Sequence, residues 1–163
     1  MKILLLGLSG SGKSTLAPKI AERFGLNTYE ADDEVMSINS GIWPSEDAIV
    51  DKGFKLANAK ALVQDNIIFV TTFLSYKDYR KFVENGFKVI NMFASFEELS
   101  KRKVTRDNAG TGHINKFRET YKEYMEFVSD PKVSKHISAS IDSTNLSSDK
   151  IVKTVVLNPI FRR

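Results

Sequence analysis

Gly7-Leu8-Ser9-Gly10-Ser11-Gly12-Lys13-Ser14 follows the spacing G-x-x-x-x-G-K-[ST], and Thr15 adds one more hydroxyl. This pattern binds phosphate. The glycines permit a tight loop whose amides converge on an anion, and a helix starting at the end of the loop adds partial positive charge there. Lys13 is placed to reach the β- and γ-phosphates of a nucleoside triphosphate, and the Ser14 hydroxyl to ligate Mg²⁺. Gly7, Ser9, Gly10, Ser11, Gly12, Lys13, Ser14 and Thr15 are therefore the expected nucleotide-binding residues, with ATP and Mg²⁺ as cofactors.

Two further groups have the chemistry that phosphoryl transfer requires. Asp32 and Asp33 are adjacent carboxylates. A kinase acting on an alcohol needs a group that accepts the hydroxyl proton, and an aspartate beside Lys13 and Mg²⁺ stays ionised for that role. Such a pair equally suits the first turn of a helix. The third group is Lys101-Arg102-Lys103-Val104-Thr105-Arg106, which runs into Gly110-Thr111-Gly112. Arg102 and Arg106 are four apart and share a helix face. An arginine fork on a segment with glycine hinges can close over the transferring phosphates, making a short lid over about 102–114.

These groups are held by alternating apolar runs and amphipathic stretches. Ile3-Leu4-Leu5-Leu6 reads as a buried strand, and residues 16–24 follow at helical spacing. Further strands are predicted near 27–30, 67–70, 88–93 and 136–141. Helices are predicted after Ala31, from a Ser45 N-cap to about 64, over about 76–84, 95–103 and 115–128, and over 147–157. Gly53 falls on the apolar side of the second of these. Strands separated by helices imply βαβ units, so the predicted fold is α/β: one domain over 1–163, a five-stranded parallel sheet with helices on both faces. Ligands in such sheets bind beyond the carboxyl ends of the strands. That directs attention to residues 7–15, 32–33, 71–72 and 142–145.

Composition sets outer bounds. The chain has 163 residues and no cysteine, which removes disulfide frameworks, thiolate nucleophiles and cysteine-ligated zinc. No apolar run reaches membrane-spanning length, and the chain opens on a core strand rather than a leader, so a cytoplasmic location is expected. Lys and Arg total 24 against 20 Asp and Glu. That mild basic excess is compatible with a polyanionic partner. Trp43, Phe73 and Tyr76 are candidate acceptor-site aromatics, and His113 and His136 are too far apart in sequence to suggest a metal site.

The phosphate loop resembles that of adenylylsulfate kinases. The order of phosphate loop, Tyr29-x-x-Asp32-Asp33, Glu98-Leu99-Ser100-Lys101-Arg102…Arg106 and the helix Phe117 to Met125 resembles the kinase domain of bacteriophage polynucleotide kinase, over about residues 1–128. That resemblance implies Asp32 as general base and Arg106 as the lid arginine. Resemblance to the related small kinases implies that the loop after the last strand borders the adenine base, with Thr144 and Asn145 as its contacts; a plain Asx-turn at Asp142 is the alternative reading of that loop. There are departures: Val35 stands where the family has arginine, and Thr71-Thr72 stand where an aspartate often holds Mg²⁺ through water. Asp33, a threonine hydroxyl or water then completes the metal shell beside Ser14. The implied acceptor is a hydroxyl on nucleic acid or a nucleotide, including a phage-type hydroxymethylated pyrimidine in DNA. The alternatives are a small-metabolite kinase of the adenylylsulfate or gluconate kind, and a nucleotide-binding switch without transfer.

Overall fold

The computed structural model describes residues 1–72, 74–107 and 112–157, without the side chains at 106, 107, 112, 113, 148, 156 and 157. Five parallel strands, β1 (Lys2–Leu6), β2 (Asn27–Glu30), β3 (Ile67–Thr71), β4 (Lys88–Phe93) and β5 (Ile137–Asp142), form one sheet in the order β2-β3-β1-β4-β5. The helices are α1 (Lys13–Phe24), α2 (Ala31–Ser37), α3 (Asp47–Leu62), α4 (Tyr76–Glu84), α5 (Phe96–Asp107), α6 (Gly112–Ser129), α7 (Pro131–Ser134) and α8 (Ser148–Leu157).

Strand alternation explains the layers. In β1, Ile3 and Leu5 face one side, with Leu16 and Ile20 of α1 and Ile151 and Val155 of α8. Leu4 and Leu6 face the other, with Ala57 and Ala61 of α3 and Tyr79 and Phe82 of α4. All four β1 residues are fully buried, as expected of a central parallel strand covered on both faces. The chain leaves β1 toward β2 and leaves β3 toward β4. Neighbouring strands β1 and β3 thus send their connections in opposite directions, which opens a crevice at their carboxyl ends.

A second feature fixes α2, which carries Asp32. Glu34 is buried and accepts hydrogen bonds from Lys60 Nζ of α3 at 2.8 and 2.9 Å and from Tyr29 Oη of β2 at 2.6 Å. The Lys60 hydrogen bond, then that of Tyr29, holds its carboxyl below the usual carboxylate range. Burial first, then Glu34, raises the Tyr29 phenol. Beside this network Val35 is fully buried against Gly53, which accounts for an aliphatic residue where the resembled family has arginine. A Cβ on Gly53 would lie 2.7 Å from the Val35 Cα. Gly53→Ala is therefore expected to destabilise the fold by about 1–3 kcal/mol, read as a lowered urea midpoint.

The boundaries differ locally from expectation. Helix α3 begins at Asp47 with Glu46 at its N-cap and no side-chain cap bond, so Ser45 does not serve. Leu56 of this helix is 36% exposed, whereas Asn58 is buried. Helix α5 continues to Asp107 and α6 starts at Gly112, so helix occupies much of the expected lid span; Gly110 and Thr111 of the expected glycine break lie outside the described residues. Phe73 lies outside them too. Helix α7 was not predicted: Asp130 caps it, accepting from the Lys132 amide at 2.7 Å.

Candidate nucleotide and acceptor site

The phosphate loop begins where β1 ends. Gly7 donates its amide to the Thr72 carbonyl at 3.2 Å, which ties the loop to the end of β3. A Cβ on Gly7 would meet the Met92 carbonyl at 2.5 Å and Ser11 Oγ at 2.6 Å, so only glycine passes here. Gly12 has φ 93° and precedes α1, turning the chain into the helix whose N-terminus faces the loop. Lys13 Nζ donates to the Leu8 carbonyl at 3.1 Å, which folds the side chain back over the loop.

A cavity of about 570 Å³ lies over this loop. Its lining includes Ser9 to Leu16, then Glu30, Asp32, Thr71 and Thr72 toward β2 and β3, and Arg102, Ser143, Leu146 and Ile151 toward α5 and α8. Of the expected site residues, Ser9, Gly10, Ser11, Gly12, Lys13, Ser14, Thr15, Asp32 and Arg102 meet in this one cavity. Asp33 is exposed and is not among its lining residues. Arg106 has its side chain outside those described.

Glu30 is the carboxylate that sequence reasoning missed. Its Oε2 accepts a hydrogen bond from Ser14 Oγ at 2.7 Å. Thr71 Oγ1 is buried, lines the same cavity and has no hydrogen-bond partner. An orphaned buried hydroxyl costs desolvation unless something else satisfies it. Ser14, Glu30 and Thr71 thus supply a hydroxyl, a carboxylate and an unsatisfied oxygen, a hard-oxygen set that suits Mg²⁺. Among the described residues no group of three or more acidic or histidine side chains forms a metal cage. The one signal in the sequence was position: Glu30 ends β2, as Thr71 ends β3, at the carboxyl edge of the sheet.

Arg102 is bonded to the flank of the phosphate loop. Its guanidinium donates to Glu98 Oε1 at 2.8 Å, to the Gly10 carbonyl at 3.1 Å and to the Ser143 carbonyl at 2.8 Å. Three acceptors from three segments fix it at the flank of the loop near α8, away from Glu30 and Asp32 at the cavity's other end. The loop after β5 also differs in detail. Ser143 is buried and donates to the Ser11 carbonyl at 2.9 Å, so Ser143 lines the cavity and Thr144 and Asn145 do not. Asp142 receives the Thr144 amide and hydroxyl, and Ser95 donates its amide to Thr144 Oγ1 at 2.9 Å. Those Thr144 hydrogen bonds lower the Asp142 pKa. This is an Asx-turn, the plain local reading of that loop.

No protein-family model matches the chain, and no curated protein matches its sequence. Solved structures do. Shikimate kinase from Aquifex aeolicus superposes with a TM-score of 0.74 at 16% identity, covering 96% of this chain and 94% of that one. The fold is that of the small P-loop kinases. Shikimate kinase from Acinetobacter baumannii in complex with shikimate gives 0.72 at 16% identity, over 95% and 90%. A gluconokinase from Sinorhizobium meliloti gives 0.63 at 20% identity, over 93% and 87%. Among the described residues no helix is long and apolar enough to cross a membrane.

Proposed function

We propose that this protein transfers the γ-phosphate of ATP to the hydroxyl of a small metabolite. What supports this is the meeting, in one cavity, of the phosphate loop from Ser9 to Thr15 with Asp32 and Glu30 at the end opposite Ser143 and Leu146. Triphosphate laid along the loop has its base end toward Ser143, Leu146 and Ile151 and its terminal phosphate toward Asp32. The acceptor oxygen then attacks the γ-phosphorus as its proton passes to Asp32. The bond from that phosphorus to the β,γ-bridging oxygen breaks, and ADP leaves. Lys13 and the loop amides neutralise charge on the phosphoryl oxygens in the transition state.

Mg²⁺, when bound with the nucleotide, supplies further charge neutralisation. Ser14 and Glu30 would hold it, with Thr71 in reach of its shell; Asp33 gives way to Glu30 in this role. Arg102 walls the nucleotide end of the cavity, and the lid function rests with Arg106.

The kinases of similar fold act on shikimate and gluconate by their names, which favours a small alcohol over the nucleic-acid acceptor expected from the polynucleotide-kinase resemblance. The basic balance of 24 against 20 charged residues is too slight to decide for DNA. A panel of small alcohols, nucleotides and 5′-hydroxyl oligonucleotides incubated with labelled ATP tests the reading. Label on a small alcohol supports it; label on oligonucleotide alone, or on nothing, refutes it. In the same assay Glu30→Gln is expected to raise the Mg²⁺ concentration for half-maximal rate by about 10–100-fold, the range seen when groups that orient a metal site are lost.

A further inference from the structure

Strand order sets one hydroxyl between the two halves of the proposed reaction. Strand β3 lies between β2 and β1. Glu30 of β2 pairs with Val70, so Asp32 and Thr72 each stand two residues beyond the same rung of neighbouring strands. Leu6 of β1 pairs with Thr71, so Gly7 and Thr72 each stand one residue beyond theirs. The Gly7 amide bonds the Thr72 carbonyl at 3.2 Å, which ties this backbone to the phosphate loop. Thr72 thus has the carboxylate of Asp32 to one side and the phosphate loop to the other.

A smaller pocket of about 270 Å³ meets the nucleotide cavity at the same point. The two share Ser9 and Thr72. Beyond them the smaller pocket is floored by the buried side chains of Leu8 and Phe117, and Ser143, Leu146 and Ile151 of the base end are not among its lining residues. The two consecutive threonines divide accordingly. Thr71 is buried and lines the nucleotide cavity, whereas Thr72 is half-buried and lines both. Among the described residues the Thr72 hydroxyl has no hydrogen-bond partner, and only its backbone carbonyl is engaged.

From this placement we infer that Thr72 orients the acceptor: the body of the alcohol occupies the smaller pocket, and its attacking oxygen accepts a hydrogen bond from Thr72 Oγ1. That oxygen carries one proton and two lone pairs. The proton passes to Asp32, one lone pair forms the bond to the γ-phosphorus, and the other holds to Thr72. The β,γ-bridging oxygen leaves with the electrons of the bond that breaks, and Thr72 keeps its own proton. A hydrogen bond so placed keeps the hydroxyl in line with the phosphorus. The inference rests on the kinase reading above and adds to it a residue that touches the acceptor.

Thr72→Val keeps the branched shape and removes the hydroxyl. Glycerol, glucose, gluconate and shikimate are offered with Mg²⁺-ATP. For the alcohol that the parent phosphorylates, kcat/KM is expected to fall about tenfold or more in Thr72→Val. Affinity for a non-hydrolysable ATP analogue should change by less than about twofold. More ADP should form per phosphorylated alcohol, because water replaces an acceptor that is poorly held. Thr72→Ser returns the hydroxyl and should recover most of the rate and the coupling. A loss matched by weaker analogue binding, or one that serine does not recover, makes Thr72 a structural residue and overturns the inference. A valine variant equal to the parent in kcat/KM and in coupling overturns it too, and in each of these cases the kinase reading stands. If the parent phosphorylates none of the four alcohols, the kinase reading fails and the inference falls with it.

Discussion

Asp32→Asn is expected to lower kcat by about 10²–10⁴-fold, the range that a positioned general base contributes. The substitution keeps the shape of the side chain and removes its capacity to take the acceptor proton. Asp32 lines the cavity from the first turn of α2, and α2 is anchored independently by Glu34, through Lys60 and Tyr29, and by Val35 against Gly53. The fold and nucleotide affinity should therefore survive. Asp33→Asn is the internal control. Asp33 is one residue away and exposed like Asp32, but it lies outside the cavity lining, so the rate of its variant should stay within a small factor of the parent. Steady-state kinetics on the two variants, with ATP affinity measured separately, checks the assignment. Equal losses from both would show that charge near the cavity, rather than a proton acceptor at Asp32, supports the rate.

Lys13→Met should reduce kcat/KM by about 10²–10³-fold, the cost of removing one preorganised donor from a charge-stabilising site. In the free protein the Lys13 ammonium already rests against the Leu8 carbonyl at 3.1 Å, folded over the loop rather than extended into solvent. Little reorganisation is needed for it to meet the β- and γ-phosphates, so most of the loss should appear in kcat. Arg102 provides a contrast. Its guanidinium is bonded to the Gly10 and Ser143 carbonyls, so Arg102→Met should weaken ATP binding and loosen the loop more than it slows transfer. A rapid-quench measurement separates chemistry from binding in these two variants.

Much of the fold was legible because it is written in short-range patterns. Leu4 and Leu5 read as a central strand, and they face opposite helical layers. The phosphate loop fixed the start of α1, and β4 falls on the predicted residues Lys88 to Phe93. What escaped depended on partners far apart in sequence. Glu30 carries no motif, and its role emerges only because β2 lies beside β3 and brings its carboxylate to Ser14. Helical spacing put Arg102 and Arg106 on one face, but it could not say that Gly10 and Ser143 would take Arg102 for the flank of the loop. Gly53 looked like one more small residue on an apolar face. Only the close approach of Val35 shows that the gap is required.

The central claim is that the terminal phosphate moves intact from ATP to a small alcohol on the far side of Asp32. Phosphorus NMR of the protein with Mg²⁺-ATP and a mixture of small hydroxy acids and polyols tests this directly. ADP and a new phosphomonoester resonance are expected in equal amounts, with both suppressed in Asp32→Asn. ADP paired with inorganic phosphate alone, or an ATP spectrum unchanged by every alcohol in the mixture, would contradict it.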